Sequence, residues 1–210
     1  MALLEGRQNA KKERKEMAIK IVAIQGSIRP GNFTAKALAL SMDELNRQQD
    51  VVCEWIDPTS MNLPLPGKTG GEKDAETLRA RVREATGVIL TTPEYHGSYS
   101  SVIKLVIENL GFPSVLSGKP VALLGVAAGR IGAIKALEHL RSVCSHIGAI
   151  VIPMPISIAN VQTYFDDMGR CNDPEMEMQI RSVGINLLHY IQENLCPRVT
   201  LEALVRGKSV

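Results

Sequence analysis

An apolar run, Ile19-Lys20-Ile21-Val22-Ala23-Ile24, leads directly into Gln25-Gly26-Ser27-Ile28-Arg29-Pro30-Gly31-Asn32-Phe33-Thr34. Good helix formers follow from Ala35 to Leu40, so the pattern predicts a buried strand, a tight turn and the start of a helix. Unpaired amides and the helix dipole both favour an anion at such a helix start. This first loop is therefore predicted to bind a phosphate group.

Several side chains of the first loop can bind an anion. Ser27, Asn32 and Thr34 offer hydrogen-bond donors, and Arg29 can add a charge-assisted hydrogen bond. A structural alternative stays open, in which Asn32 or Thr34 only caps the helix and Arg29 is a solvated loop cation. The chain contains neither Gly-x-Gly-x-x-Gly nor Gly-x-x-x-x-Gly-Lys-Ser/Thr, which argues against a Rossmann dinucleotide site and a P-loop nucleotidase.

A second loop is Thr91-Thr92-Pro93-Glu94-Tyr95-His96-Gly97-Ser98-Tyr99-Ser100, between the apolar run 87–90 and a helix-like run at 101–110. Open α/β sheets bind ligands at the carboxyl ends of their strands, where this loop would lie. A proline stiffens it, two tyrosines and a histidine offer rings, and Gly97 permits close approach of main-chain amides. The composition suits a flat aromatic ligand, although an ordinary strand-to-helix turn is also rich in such residues.

The two loops together resemble those of the NADPH-dependent FMN reductase family, which includes flavin, quinone, azo-dye and chromate reductases with a flavodoxin-like fold. The resemblance rests on Gly26-Ser27-Ile28-Arg29…Thr34 and on Thr92-Pro93-Glu94-Tyr95-His96-Gly97-Ser98, in the expected order on successive strand ends. It extends over residues 18–193. Each motif is weak alone, and the pair is fairly specific.

The resemblance implies a bound FMN cofactor, with NADPH or NADH as the hydride donor. Family members usually carry Asn where this chain has His96, and often Ser or Thr where it has Val126 or Ala127. We expect no catalytic side chain, because the hydride chemistry belongs to the flavin, and we expect His96 to modulate it. The expected cofactor-binding residues are Ser27, Arg29, Asn32, Phe33, Thr34, Pro93, Glu94, Tyr95, His96, Gly97, Ser98 and Gly129.

The rest of the chain alternates strand-like and helix-like segments without internal repeats. Apolar runs at 19–24, 51–56, 87–91, 120–126 and 149–152 predict a five-stranded parallel sheet covered on both faces. Right-handed crossovers then give the flavodoxin-like order 2-1-3-4-5, a doubly wound α/β three-layer sandwich. In that order the first and third strands are neighbours, so the two loops lie side by side.

A third glycine-rich crossing, Val126-Ala127-Ala128-Gly129-Arg130-Ile131-Gly132, follows the fourth strand. If the resemblance holds, its amides border the flavin or the substrate cavity; a tight turn and a helix start would explain its glycines equally well. His139 and His146 share one face of the next predicted helix, without a carboxylate or thiol at metal-ligand spacing. We therefore expect no metal site and place these histidines in solvent or at an interface.

Composition predicts one soluble globular domain. The 210 residues are 45% hydrophobic and 22% charged, with a formal net charge of +2, so no nucleic-acid footprint is visible. Scattered cysteines without Cys-x-x-Cys spacing indicate free thiols in a reducing compartment. No apolar run approaches the roughly twenty residues that span a bilayer.

Residues 1–16 mix basic and acidic side chains, unlike a secretory signal or a transit peptide. We therefore expect a cytoplasmic protein with a polar arm at 1–16, a flavodoxin-like FMN-binding domain at 17–195 and a tail at 196–210.

The function implied by the resemblance is hydride transfer from reduced nicotinamide, through FMN, to a flavin, a quinone, an azo compound or a metal oxyanion. The alternative is a non-enzymatic FMN-binding electron carrier similar to a flavodoxin. An acidic rim would be expected to steer the partner of such a carrier, and a net charge of +2 argues against one. A flavodoxin-like scaffold without cofactor is a third alternative.

We also expect a homodimer or homotetramer. Residues 156–165 are apolar and would lie beyond the last strand of the sheet, where one subunit has little to cover them. The helix after the second loop has its own apolar face, with Val102, Leu105 and Val106. Such patches usually mark an interface. The resemblance also implies a dimer or tetramer, because family members form such oligomers through that helix. The stripe on the final helix, by contrast, is expected to pack on the sheet.

Overall fold

The computed structural model describes residues 18–196, so the arm expected at 1–16 and the tail beyond residue 196 lie outside the described residues. The strands are β1 (Ile19–Ile24), β2 (Val51–Ile56), β3 (Gly87–Tyr95), β4 (Ser98–Tyr99), β5 (Pro120–Val126), β6 (Ile150–Val151) and β7 (Ile156–Ile158). The helices are α1 (Phe33–Asn46), α2 (Glu72–Glu84), α3 (Ser101–Glu108), α4 (Ile134–His146) and α5 (Pro174–Asn194), with short 3₁₀ helices at Pro58–Ser60 and Val161–Thr163.

The strands form one sheet in the order β2-β1-β3-β5-β6, with β7 also paired to β5 and β4 antiparallel to β3. The remaining pairings within residues 18–196 are parallel. The predicted flavodoxin-like α/β fold is confirmed, and β5 and β6 occupy the places predicted for the fourth and fifth strands. Because β1 and β3 are neighbours, the loops that follow them meet at one edge of the sheet.

The third strand is longer than predicted. The sequence pattern ended it at Thr91, but β3 continues to Tyr95, and Thr92 and Pro93 lie opposite Gly125 and Val126. A proline normally ends a central strand, which is why the prediction stopped early. β3 pairs with β1 only as far as Leu90, whereas it stays paired with β5 as far as Pro93.

The fifth position of the sheet is divided between β6 and β7. Four residues, 152–155, stand opposite only Ala122 and Leu123 of β5. Pro153 and Pro155 cannot donate to a ladder, and Met154 between them has φ of 61°. The chain therefore leaves the sheet after β6 and rejoins it as β7.

Residues 156–165 consequently do not lie beyond the sheet, and that prediction was wrong. β7 pairs in parallel with β5, with Ile156 opposite Leu124. Ile158, Val161 and Phe165 are buried in the hydrophobic core. The segment is covered within one subunit and gives no argument for an oligomer.

Helices cover both faces of the sheet. On one face α1 packs against α5, and Ser41 Oγ donates to the carbonyl of Ile180 across that contact at 2.7 Å. The other core cluster holds residues of α2, α3 and α4. The stripe predicted on the final helix does pack on the sheet, with Val183, Leu187 and Ile191 buried. In the part of the chain that the structure describes, no helix is long and apolar enough to cross a membrane.

The first loop crosses directly over the backbone of β3. A Cβ placed on Gly26 would lie 1.8 Å from the carbonyl oxygen of Thr91, so only glycine fits. The Gly26 amide donates to Thr91 Oγ1 at 3.1 Å, and that hydroxyl donates to the Ile24 carbonyl at 2.9 Å. Ser100 Oγ donates to the Gly26 carbonyl at 2.5 Å. The end of β1, the end of β3 and the start of α3 are thereby fixed to one another.

Replacing Gly26 with alanine is expected to lower the free energy of unfolding by about 1–3 kcal/mol, because the added methyl group must push two backbones apart. Urea denaturation measures the change. Gly129→Ala is the matched control, because no atom lies within 4 Å of the position its Cβ would take and its φ is not positive. Equal stability of the two variants would contradict the prediction.

Candidate functional site

Helix α1 begins at Phe33 because Asn32 caps it. Asn32 Oδ1 accepts from the Ala35 amide at 2.8 Å, and Asn32 Nδ2 donates to the Arg29 carbonyl at 2.7 Å. Both the oxygen and the nitrogen of this side chain are thus hydrogen-bonded to the backbone around the first loop. This supports the capping alternative for Asn32. The loop leaves the positive end of the α1 dipole facing the carboxyl edge of the sheet.

Thr34 is buried, and its Oγ1 has no hydrogen-bond partner among the described residues. A buried hydroxyl without a partner costs free energy, so its position calls for a ligand or water. Ser27 is also buried, and its Oγ only accepts, from the Arg29 amide at 3.4 Å. Two hydroxyl donors therefore remain available at the start of α1.

A cavity of about 410 Å³ opens over these hydroxyls, and we call it the first cavity. Four segments line it: the first loop, the end of β3, the start of the third loop and the 3₁₀ helix at Val161–Thr163, through Val161. Phe33 forms part of the wall, with its ring centroid 6.2 Å from that of Phe165. The predicted residues Ser27, Arg29, Asn32, Phe33, Thr34, Pro93, Glu94 and Tyr95 all line it.

Arg29 joins the first loop to the second. Its guanidinium carbon lies 4.5 Å from the centroid of the Tyr95 ring, in a cation–π contact. Arg29 is exposed and Tyr95 half-buried. The pair places one positive charge at the rim of the first cavity, and Arg29 has no ion-pair partner among residues 18–196.

The second loop is a tight β-hairpin and not an open loop. Tyr95 pairs with Ser98, and the turn residues His96 and Gly97 have φ of 50° and 72°. Two positive φ values define a type I′ turn, which favours Asn-Gly and tolerates histidine at its first position less readily. His96 therefore has a conformational role that sequence reasoning missed. The turn leaves the amides of both residues available to a ligand.

Glu94 has a structural partner that the sequence did not reveal. Its Oε2 accepts from the Ala136 amide in the first turn of α4 at 3.1 Å. Ala133, the residue before α4, provides no side-chain cap. A carboxylate at a helix N-terminus is stabilised by the dipole, so Glu94 ties the hairpin to α4. Glu94 also lines the first cavity.

A second contact holds the hairpin on α4. Ser98 Oγ lies 3.0 Å from Nδ1 of His139, which is exposed. Among residues 18–196, no group of three or more His, Cys, Asp or Glu residues could hold a metal ion. His139 supports the hairpin, and the expectation of no metal site stays a prediction for the whole chain.

The third loop is held from the far side by the segment after β7. The Ala127 amide donates to the Ile158 carbonyl at 2.8 Å, and the Asn160 amide donates to the Gly129 carbonyl at 3.2 Å. This loop and the hairpin together line a second cavity of about 410 Å³, which includes His96, Gly97 and Gly129. The two cavities share Glu94, Ala127 and Ala128 and are therefore adjacent.

The donor set fits a flavin nucleotide. One end of the joined cavities offers the orphaned Thr34 hydroxyl, Ser27 Oγ and a helix N-terminus for a phosphate group. The other end offers the hairpin turn, whose amides could donate to a flat ring, and a second cavity beside it with room for a substrate.

The sequence pattern of a family described as NADPH-dependent FMN reductase matches residues 19–163. The chain belongs to this family. Family membership confirms the function expected from the two loops: an FMN-dependent oxidoreductase with a reduced nicotinamide as donor.

Relatives of the chain agree with that membership. An NAD(P)H-dependent FMN reductase of Pseudomonas aeruginosa is 30% identical over 158 residues, 74% of this chain and 85% of the relative. A 2-hydroxy-1,4-benzoquinone reductase of a Burkholderia species is 32% identical over 145 residues, 66% of this chain and 77% of the relative. A solved flavoenzyme NAD(P)H:(acceptor) oxidoreductase of Paracoccus denitrificans shares the fold, with a TM-score of 0.69 at 19% identity over 84% of this chain and 98% of that one.

Replacing Thr34 with valine is expected to weaken FMN binding about ten- to hundred-fold, because a hydrogen bond to a charged group contributes about 1.5–3 kcal/mol. Stability without FMN should be unchanged or higher, since the hydroxyl has no hydrogen-bond partner in the described part of the chain. Quenching of FMN fluorescence measures affinity, and urea denaturation measures stability.

Ser41→Ala is the matched control for Thr34→Val. Its buried hydroxyl donates to the Ile180 carbonyl, so its loss should lower stability by about 1 kcal/mol and leave FMN affinity intact. Unchanged FMN affinity in Thr34→Val would overturn the assignment of this hydroxyl to the cofactor.

Proposed function

We propose that this family member reduces small quinone-type acceptors, with FMN lying across the first cavity and its phosphate at the first loop. The observation that carries the proposal is the second cavity, which adjoins the first and is bordered by the exposed imidazole of His96. Quinone oxygens accept hydrogen bonds, and the turn amides of His96 and Gly97 and the imidazole can donate them. The 32% identical relative named as a benzoquinone reductase supports the same acceptor class.

The assignment of individual residues to FMN is part of this proposal. Ser27 and Thr34 would bind the phosphate through their hydroxyls, with Arg29 adding a charge-assisted hydrogen bond. Arg29 would at the same time hold Tyr95 in place through its contact with the ring. Asn32 supports the loop by capping α1, as its hydrogen bonds indicate. Phe33, Pro93, Glu94, Tyr95 and Gly129 would form the walls around the cofactor.

The protein contributes positioning to the mechanism. Bound FMN supplies the chemistry that accepts a hydride and passes electrons on. The hairpin presents the amides of His96 and Gly97 to the ring edge, and its anchorage through Glu94 and Ser98 keeps those amides in place. The donor and then the acceptor occupy the second cavity in turn. No side chain needs to act as nucleophile or general base.

An electron carrier that serves a protein partner is the second candidate. The slight positive balance of the chain, a formal net charge of +2, does not favour it, because flavodoxin-type carriers need an acidic rim for steering. An accessible cavity beside the ring site also favours a small-molecule acceptor.

We also propose a cytoplasmic location, without nucleic-acid or membrane partners. Cys53, Cys144 and Cys171 are not in disulfides, as expected in a reducing compartment. Burial raises the pKa of the Cys53 thiol to about 11 and that of Cys144 to about 12. Both thiols therefore stay protonated and unreactive near neutral pH.

A steady-state panel with the FMN-loaded protein tests the function. We expect NAD(P)H-dependent reduction of benzoquinones to be faster than that of free flavin, azo dyes or chromate. His96→Asn should keep FMN affinity, because Asn-Gly suits the type I′ turn, and should change acceptor preference, because His96 lines the second cavity. His189→Asn, an exposed substitution on α5, is the control. Reduction only in the presence of a protein acceptor would overturn the proposal.

We still propose a homodimer or homotetramer, but with its subunit interface on a different surface from the one predicted from the sequence. Of the helix face first suggested, Val106 is buried in the core, while Val102 and Leu105 are half-buried. Next to that helix, Phe112 is fully exposed. It borders a groove of about 520 Å³ between α3 and α4. A twofold axis there would let the Phe112 of each subunit fill the groove of the other.

Phe112→Ser is expected to convert the oligomer to a species near the 22.9 kDa chain mass at micromolar concentration, because it removes the apolar anchor of the contact. Sedimentation velocity measures the change. Met178→Ser, a likewise exposed apolar site on α5, should leave the oligomer intact. A wild-type protein that sediments as a monomer would reject the proposal.

A further inference from the structure

Arg130 differs from the other arginines of residues 18–196 because its guanidinium has no ion pair, hydrogen bond or ring contact there. Arg29 stacks on Tyr95, and Arg141 donates to the Ile152 carbonyl. The others form ion pairs: Arg47, Arg79, Arg81, Arg83, Arg170 and Arg181. An unpaired guanidinium on the wall of a substrate cavity is available to an anionic ligand.

The surroundings of Arg130 reinforce its positive charge. The other charged residue lining the second cavity is Glu94, and its carboxylate already accepts from the Ala136 amide. Lys135 lies beside the hairpin, with its Cδ 3.8 Å from where a Cβ on Gly97 would be. Lys135 also has no ion pair in the described part of the chain. This end of the cavity therefore attracts anions.

The backbone that carries Arg130 is fixed although its side chain is exposed. The Gly129 carbonyl accepts from the amides of Gly132 and Asn160, each at 3.2 Å. Gln162 Nε2 donates to the Ala128 carbonyl at 3.2 Å. Ile131, next along the chain, is 69% exposed and also lines the cavity. A fixed loop thus presents an apolar side chain and a free guanidinium side by side.

We propose that Arg130 binds the 2′-phosphate of NADPH, with the adenosine resting against Ile131, so that the protein prefers NADPH to NADH. A guanidinium can donate two parallel hydrogen bonds to a phosphate, which a ribose hydroxyl cannot receive. This inference rests on the proposed function, since it places the nicotinamide donor in the second cavity. It assigns a specificity-determining role to a residue of the third loop that lines the second cavity.

Steady-state kinetics of the FMN-loaded protein test the preference. The ratio of kcat/KM for NADPH to that for NADH should fall about ten- to hundred-fold in Arg130→Ala, the range expected for loss of a charged hydrogen bond. The change should lie in the KM for NADPH and not in kcat. Arg130→Lys should keep part of the ratio, because it retains the charge without the paired donors.

Calorimetric titration with 2′,5′-ADP gives a readout that does not need turnover. The wild type should bind 2′,5′-ADP at least about tenfold more tightly than 5′-AMP, and Arg130→Ala should bind the two alike. Arg47→Ala is the control, because it removes one exposed positive charge at the far end of α1 and should change neither ratio.

The outcomes separate this inference from the function. Equal use of NADPH and NADH by the wild type, or equal losses with both in Arg130→Ala, would overturn the role of Arg130 and leave the reductase intact. If neither nucleotide reduces the bound flavin, the proposed function fails, and the titration with 2′,5′-ADP still decides whether Arg130 binds the phosphate.

Discussion

The contact between the backbone of Gly26 and that of Thr91 is the constraint on which the rest of the site depends. No side chain fits between the first loop and β3. The hydroxyls of Thr91 and Ser100 form hydrogen bonds with the backbone groups of Ile24 and Gly26 that the crossing buries. Because Ser100 also caps α3 through the Ile103 amide, the same few atoms set the first loop, the hairpin and a helix. Every ligand contact proposed at the site depends on this arrangement.

Sequence reasoning succeeded where a regular pattern of apolar residues indicated a buried element. The apolar runs located the parallel strands, and the turn after Ile24 located the start of α1. The prediction failed at prolines, because a proline usually ends a strand but can also lie within one or between two strands. Pro93 was placed in a loop after the strand, but β3 stays paired with β5 through Pro93. Residues 156–158 looked unpaired, because Pro153 and Pro155 conceal the return of the chain to the sheet.

The site residues divide in the same way. Residue types suited to phosphate binding were recognisable from the sequence, and Ser27, Arg29 and Thr34 do line one cavity. The hydrogen-bond partners that already occupy two of the other predicted side chains were not recognised from the sequence. The side-chain oxygen and nitrogen of Asn32 are both hydrogen-bonded within three residues of it, and the Glu94 carboxylate accepts a hydrogen bond from the first turn of α4. Arg130 was overlooked because what sets it apart is the lack of a partner among residues 18–196, which a sequence does not display.

The tether between the third loop and the segment after β7 also bears on how the protein is synthesised. Hydrogen bonds join residues 127–129 to residues 158–162. Residues 158–162 leave the ribosome after the third loop. The crossing of the first loop over β3 needs residues only as far as Ser100, whereas the hairpin needs α4 for its contacts through Glu94 and Ser98 and the wall of the second cavity needs β7 to have joined the sheet. Such non-local closure is slow compared with local folding. We therefore expect the wall of the second cavity to be the last part of the site to form during folding.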